Sequence, residues 1–118
     1  MKPLTFVFTS APHFTARGRE GIDAVLATSA LCDGIQVIFV NQGVAHLLNG
    51  QDTTGIGTKN YAPMLKLFEL YDIDEVYACR QSLDDMGLSS AELCIEVKLR
   101  EPGEITGMLR NSHKVIQF

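Results

Sequence analysis

Two hydrophobic patterns alternate along the chain. Leu4-Thr5-Phe6-Val7-Phe8-Thr9 carries bulky residues at both parities, as a strand buried on both faces in the centre of a parallel sheet does. Ser10-Ala11-Pro12-His13 interrupts it, and Thr15 can cap a helix. From about Arg17 to Leu31, the residues Ile22, Val25, Leu26 and Ala30 fall on one helical stripe, with Ala24 and Ala27 keeping it slim. Asp33-Gly34 ends that helix, glycine supplying the left-handed cap. Ile35-Gln36-Val37-Ile38-Phe39-Val40 is the most hydrophobic stretch and predicts a second central strand. Asn41-Gln42-Gly43 turns the chain into a short helix, Val44 to Leu48, and Asn49 to Gly57 follows as a loop. A third helix is predicted from about Lys59 to Leu70, burying Tyr61, Leu65 and Phe68, with Pro63 tolerated in its first turn.

The run Glu75-Val76-Tyr77-Ala78-Cys79 predicts a third strand, passing directly into a helix from Arg80 to Met86 that Gly87 ends. Leu93 to Leu99 alternates strictly: Leu93, Ile95, Val97 and Leu99 share one face, and Cys94, Glu96 and Lys98 the other. One-sided burial places this strand nearer the sheet edge. Pro102 opens a short helix through Leu109, and Lys114-Val115-Ile116-Gln117-Phe118 reads as a last strand. Regular alternation of strand and helix predicts an α/β protein: one three-layer domain over 1–118, with a mainly parallel sheet of about five strands and helices on both faces. No internal repeat, low-complexity tract or linker is present.

Charge narrows the function classes. The net charge is -4, which argues against direct nucleic-acid binding, since that needs a basic surface to displace counterions. An indirect role in RNA metabolism through a partner stays open. The start lacks a signal-peptide pattern, and the longest apolar run falls far short of the roughly 20 residues needed to cross a bilayer. The cysteines, at 32, 79 and 94, form neither a disulfide framework nor a C-x-x-C pair. A cytoplasmic protein is expected.

Few motifs carry chemistry. Gly55-Ile56-Gly57 resembles the start of a phosphate loop, but no third glycine follows at the required spacing and no Walker lysine is placed to serve it. His13, His46 and His113 lie in separate segments without the local pairing of a zinc site, so neither a metal nor a cofactor is expected. His46 reads as packed or rim-exposed and His113 as a turn residue. His13 follows the first strand, at the same end of a parallel sheet as Cys79. Cys32 and Cys94 read as small buried hydrophobes. Asp84 and Asp85, adjacent on a helix, diverge by about 100° and form a solvated face. No G-x-S-x-G elbow or Ser-His-Asp order occurs. Cys79 is the candidate catalytic residue: ligands collect at the carboxyl ends of parallel strands, and a following helix together with Arg80 would favour the thiolate.

Several stretches together resemble the DsrE/DsrF-like sulfur-relay family, in its TusC (DsrF) subunit type. They are Phe6-Val7-Phe8 running into Ala11-Pro12-His13, then Gly18-Arg19-Glu20-Gly21 with Asp23-Ala24 and Ala27-Thr28-Ser29-Ala30. Gly43-Val44, Leu47-Leu48, Gly50-Gln51, Lys66-Leu67 and Leu70-Tyr71-Asp72-Ile73 extend the likeness. Cys79, Ser82-Leu83, Gly87-Leu88 and the apolar final strand continue it over nearly the full length. The resemblance implies a heterohexamer of TusB-, TusC- and TusD-like chains that passes persulfide sulfur to a TusE/DsrC-like carrier. In one branch the sulfur reaches the 2-position of the tRNA wobble uridine; in another it serves dissimilatory sulfur metabolism. In that family the established sulfur-carrying cysteine belongs to the TusD/DsrE-like chain, and Cys79 sits at the corresponding strand end.

Three readings follow. The chain is a structural or accessory subunit of a sulfur-relay complex, or a sulfurtransferase carrying persulfide on Cys79, or a small-ligand-binding α/β module using the same strand-end crevice. The absent phosphate loop counts against the third.

Overall fold

The computed structural model describes residues 3–9, 17–31, 34–47, 62–87, 93 and 95–118, with side chains of the first and third helices described from residues 20 and 65 onward. The described elements are β1 (Leu4–Phe8), α1 (Arg17–Ser29), β2 (Ile35–Phe39), a 3-10 helix (Asn41–Leu47), α2 (Ala62–Leu70), β3 (Val76–Cys79), α3 (Arg80–Asp85), β4 (Lys98–Arg100), α4 (Pro102–Arg110) and β5 (Lys114–Gln117). They build one five-stranded sheet in the order β4-β3-β2-β1-β5. Every pairing is parallel, with Phe6 opposite Val37 and Ile116, Ile38 opposite Tyr77, and Cys79 opposite Arg100.

The two hydrophobic parities of β1 and β2 feed two unequal layers. Phe6, Phe8, Val37, Phe39, Val76 and Ala78 point into the larger one, which Ile22 and Val25 of α1, Leu65 and Phe68 of α2, Val44 and Leu47 of the 3-10 helix and Leu83 of α3 complete. Phe8 sits at its centre, stacked on Phe39 and Phe118 at ring-centroid distances of 5.0 and 5.6 Å. The opposite face is thinner. Val7, Ile38, Tyr77 and Cys79 form it with Ile105 of α4, and Val40, Met108 and Leu109 pack at its rim. Helices thus cover both faces, as strand–helix alternation requires.

A polar seam runs beside this second layer. Ser112 Oγ donates to the Met108 carbonyl at 2.9 Å, leaving Thr5 Oγ1 as the donor in the 2.5 Å bond between the two hydroxyls; Gln36 Nε2 donates to Thr5 Oγ1 at 3.4 Å. Thr5, Gln36 and Ser112 thus each have a hydrogen-bond partner within the seam, as burial of polar groups demands.

The main difference from the sequence pattern lies in β4. Alternation predicts a strand over Leu93 to Leu99, but the described ladder begins only at Lys98 and runs to Arg100. Ile95 is buried and Val97 half-buried, whereas Leu99 is 45% exposed. Leu93 makes an isolated bridge, and burial alternates over Ile95, Glu96 and Val97 outside the ladder, so periodicity alone overstates the strand. Its predicted edge position is observed. The predicted α1 is also shorter: Ala30 and Leu31 form a turn.

Candidate functional site

Cys79 ends β3 and is the N-cap residue of α3, with extended backbone (φ -75°, ψ 117°) and no side-chain capping bond. The strand-to-helix junction is as predicted; the thiol's surroundings are not those of an open crevice. Parity along β3 turns Cys79 to the same face as Tyr77, into the layer beneath α4, and the residue is only 5% exposed. The following helix spans six residues, so little macrodipole accumulates behind it.

Arg80 is already engaged. Its Nε donates to a Glu101 carboxylate oxygen and its guanidinium NH1 nitrogen bonds Asp84 Oδ2 at 3.0 Å. The Glu101 bond, then the charges of Glu101 and Asp84, strengthen Arg80's protonated form, and the same bond holds the Glu101 carboxyl below its ordinary range. Two carboxylates on one guanidinium leave little net positive charge for an anion on Cys79. The sequence places Arg80 correctly beside the thiol, but its partners lie four and twenty-one residues away. Asp84 is legible as an i, i+4 neighbour; Glu101 carries no local signal, because only the β3–β4 register brings it there.

A second group borders the layer near the β4 edge. The Tyr77 hydroxyl donates to Glu75 Oε2, while Lys98 Nζ and the Arg100 guanidinium lie 5.5 and 5.1 Å from the Tyr77 ring centre. Lys98 also reaches Glu75 at 3.4 Å. The Tyr77 bond, opposed in part by burial and helped by Lys98, lowers the Glu75 carboxyl below its ordinary value of 4.5. Burial first, then the bond to Glu75, raises the Tyr77 phenol above 10.0. These contacts hold β3 to β4; none of these groups is placed against a reacting atom.

Around the carboxyl ends of β2 and β3, the 3-10 helix and α3 are tied by the Asn41 N–H donating to Ser82 Oγ at 2.9 Å, with Asn41 in the left-handed region at φ 53°. His46 is fully buried, with its ring edge-on to Phe8 at 5.7 Å. Of the two expected alternatives it is the packed one. His113 is exposed in a bend on the way to β5. His13, Cys32, Cys94, Tyr61 and the Gly55–Gly57 loop lie outside the described residues. Among the described residues no group of three or more His, Cys, Asp and Glu could hold a metal ion, and no helix is long and apolar enough to cross a membrane. A cleft of about 810 Å³ opens at the other end of the sheet, lined by Glu69, Ile73, Asp74, Val76, Glu96, Val97 and Lys98. It shares no residue with the Cys79 layer.

This arrangement is that of an α/β protein with a wholly parallel described sheet and a cysteine at a strand end, and the same fold is found in the crystal structure of the ychN protein from E. coli. The two superpose with a TM-score of 0.84 over 100% of both chains at 20% sequence identity, a likeness of fold alone. The chain belongs to the DsrE/DsrF-like family, whose model matches residues 2–118. It is 50% and 48% identical, over the full length of both chains, to the "Protein TusC homolog" of two Vibrio vulnificus strains, and 48% identical to that of Vibrio parahaemolyticus.

Proposed function

We propose that this chain is a structural or accessory subunit of a cytoplasmic sulfur-relay complex. It works by assembling with TusB-like and TusD-like paralogues, which together pass persulfide sulfur to a TusE/DsrC-like carrier and onward to 2-thiolation of the tRNA wobble uridine. Full-length similarity to TusC homologues supports the subunit type. The burial of Cys79 beneath α4, with Arg80 neutralised by two carboxylates, carries the preference for an accessory role over a carrier. An acidic chain reaches tRNA only through its partners in this reading.

The second reading keeps Cys79 as a carrier, favoured by its place at the carboxyl end of β3. Its thiolate would attack the outer sulfur of a donor persulfide, expelling the donor thiolate. An acceptor thiolate would then attack the outer sulfur on Cys79 and release the Cys79 thiolate, with no net oxidation. The two readings separate by peptide mass spectrometry after incubation with a persulfide-loaded donor, in wild type and Cys79→Ser, with partner chains present and absent. The accessory role predicts sulfur on the TusD-like chain, none on Cys79, and unchanged transfer in Cys79→Ser. A one-sulfur mass gain on Cys79 that then moves to the TusE-like acceptor overturns it.

A further inference from the structure

We propose that α4 is a lid over Cys79, latched at its N-terminal end by the Arg80–Glu101 ion pair and anchored at its C-terminal end by the Thr5–Ser112 seam. The lid is thinly attached. Of its nine residues only Ile105 is fully buried, with Met108 and Leu109 half-buried. Two of the nine, Gly103 and Gly107, have nothing within 4 Å of where a Cβ would sit. Packing does not require glycine at either position, so each weakens the helix with no compensating contact. A helix with one buried side chain and two unforced glycines belongs to the low-stability end of a fold, where local opening precedes global unfolding.

The two ends are held differently. At the C-terminal end, Ser112 Oγ joins the Met108 carbonyl to the fully buried Thr5, and the His113 N–H donates to the Pro3 carbonyl at 2.8 Å. The two Ser112 bonds are partly buried, and together the three tie the end of α4 to β1 and the residue before it. At the N-terminal end the fastening is exposed: the Arg80 and Glu101 side chains are 49% and 50% accessible. Glu101 also caps α4 reciprocally with Glu104, so Arg80 grips the residue that starts the helix. Cys79 lies at this weaker end, its backbone paired in register with Arg100, next to Glu101. Local unfolding of α4 that carries Ile105 away from Cys79 uncovers the thiol, while the seam keeps the chain attached.

What the lid admits to Cys79 rests on the persulfide reading above; the lid itself does not, because its test uses no sulfur donor. The folded chain is labelled with iodoacetamide and the rate at Cys79 is read by peptide mass spectrometry, each variant's folding being checked by thermal melting. Arg80→Gln removes the latch but keeps the Glu101 cap, and should speed labelling about two- to fivefold, as expected for loss of an exposed ion pair. Gly107→Ala strengthens the helix without a clash and should slow it about three- to fivefold. Val25→Ala, in the opposite layer under α1, weakens the whole fold and should leave the rate unchanged. A Val25→Ala rate raised as far as that of Arg80→Gln would mean exposure by global unfolding and overturn the lid. Arg80→Gln and Gly107→Ala moving the rate in the same direction, or not at all, would overturn it equally.

Discussion

Gly43 offers the sharpest test of how the carboxyl end of the sheet is built. A Cβ placed there would overlap the Phe8 carbonyl oxygen and carbon and approach the Thr9 nitrogen at 3.0 Å. The obstacle is backbone, and it is fixed: the Phe8 carbonyl accepts the Val40 N–H at 3.0 Å, and Phe8 itself is fully buried. The Phe8 carbonyl oxygen would lie only 1.9 Å from that Cβ, so restoring an ordinary contact near 3.5 Å would require the 3-10 helix to move by about 1.5 Å. Over-packing of this kind costs about 1–3 kcal/mol. With no flexible side chain to yield, Gly43→Ala should fall at the upper end, about 3 kcal/mol, near half the stability of a marginal domain. With a urea m-value of about 2 kcal/mol per molar, the midpoint should drop by about 1.5 M at unchanged m. The melting temperature should fall by roughly 10 °C. A midpoint within about 0.3 M of wild type would refute the close approach of the 3-10 helix to β1.

Ser82→Ala removes the acceptor of the left-handed Asn41 N–H and should cost about 1 kcal/mol, read as a shift in urea midpoint. Its effect should be less than additive with Gly43→Ala, since both loosen the same 3-10 helix. The Glu75–Tyr77 pair sets a pH dependence of known sign. Because the folded-state Glu75 carboxyl lies below 4.5, its contribution is complete above that value and is lost as pH falls through the folded value. Because the Tyr77 phenol lies above 10.0 in the folded state, its contribution is complete below that value and is lost as pH rises through the folded value. Tyr77→Phe should therefore flatten the loss of urea stability between neutrality and about pH 3, and an unchanged acid slope would rule out the hydrogen bond as its cause.

Much of the architecture is legible in the residues because their patterns have one physical outlet. Phe6, Val7 and Phe8 are apolar at both parities, and only a central strand buries both. The Cys79–Arg80 junction is visible where β-branched and aromatic residues give way to helix formers, and Gly87, at φ 72°, ends α3 as expected. The site was less legible. That Cys79 faces the layer beneath α4 follows from strand register and parity, which no short stretch declares. Arg80 looked like a cation available to the thiol because Glu101, which with Asp84 neutralises it, is joined to it only across the β3–β4 pairing. Lys98 reads in sequence only as sharing a strand face with Cys94 and Glu96, and the register alone sets it and Arg100 over the Tyr77 ring.

The sheet order has a consequence for how the chain acquires its structure. β1 lies between β2 and β5, so residues near 4–7 pair with residues 114–117, and the Phe118 ring stacks on those of Phe6 and Phe8. During synthesis the outer edge of β1 therefore stays without its neighbour until more than a hundred further residues have been made. Closing so long a loop costs chain entropy before any contact repays it, so this pairing should be a late and slow event. Until then, an apolar strand presents an open hydrogen-bonding edge to other nascent chains. The period of greatest aggregation risk thus extends until β5 has been made and can pair.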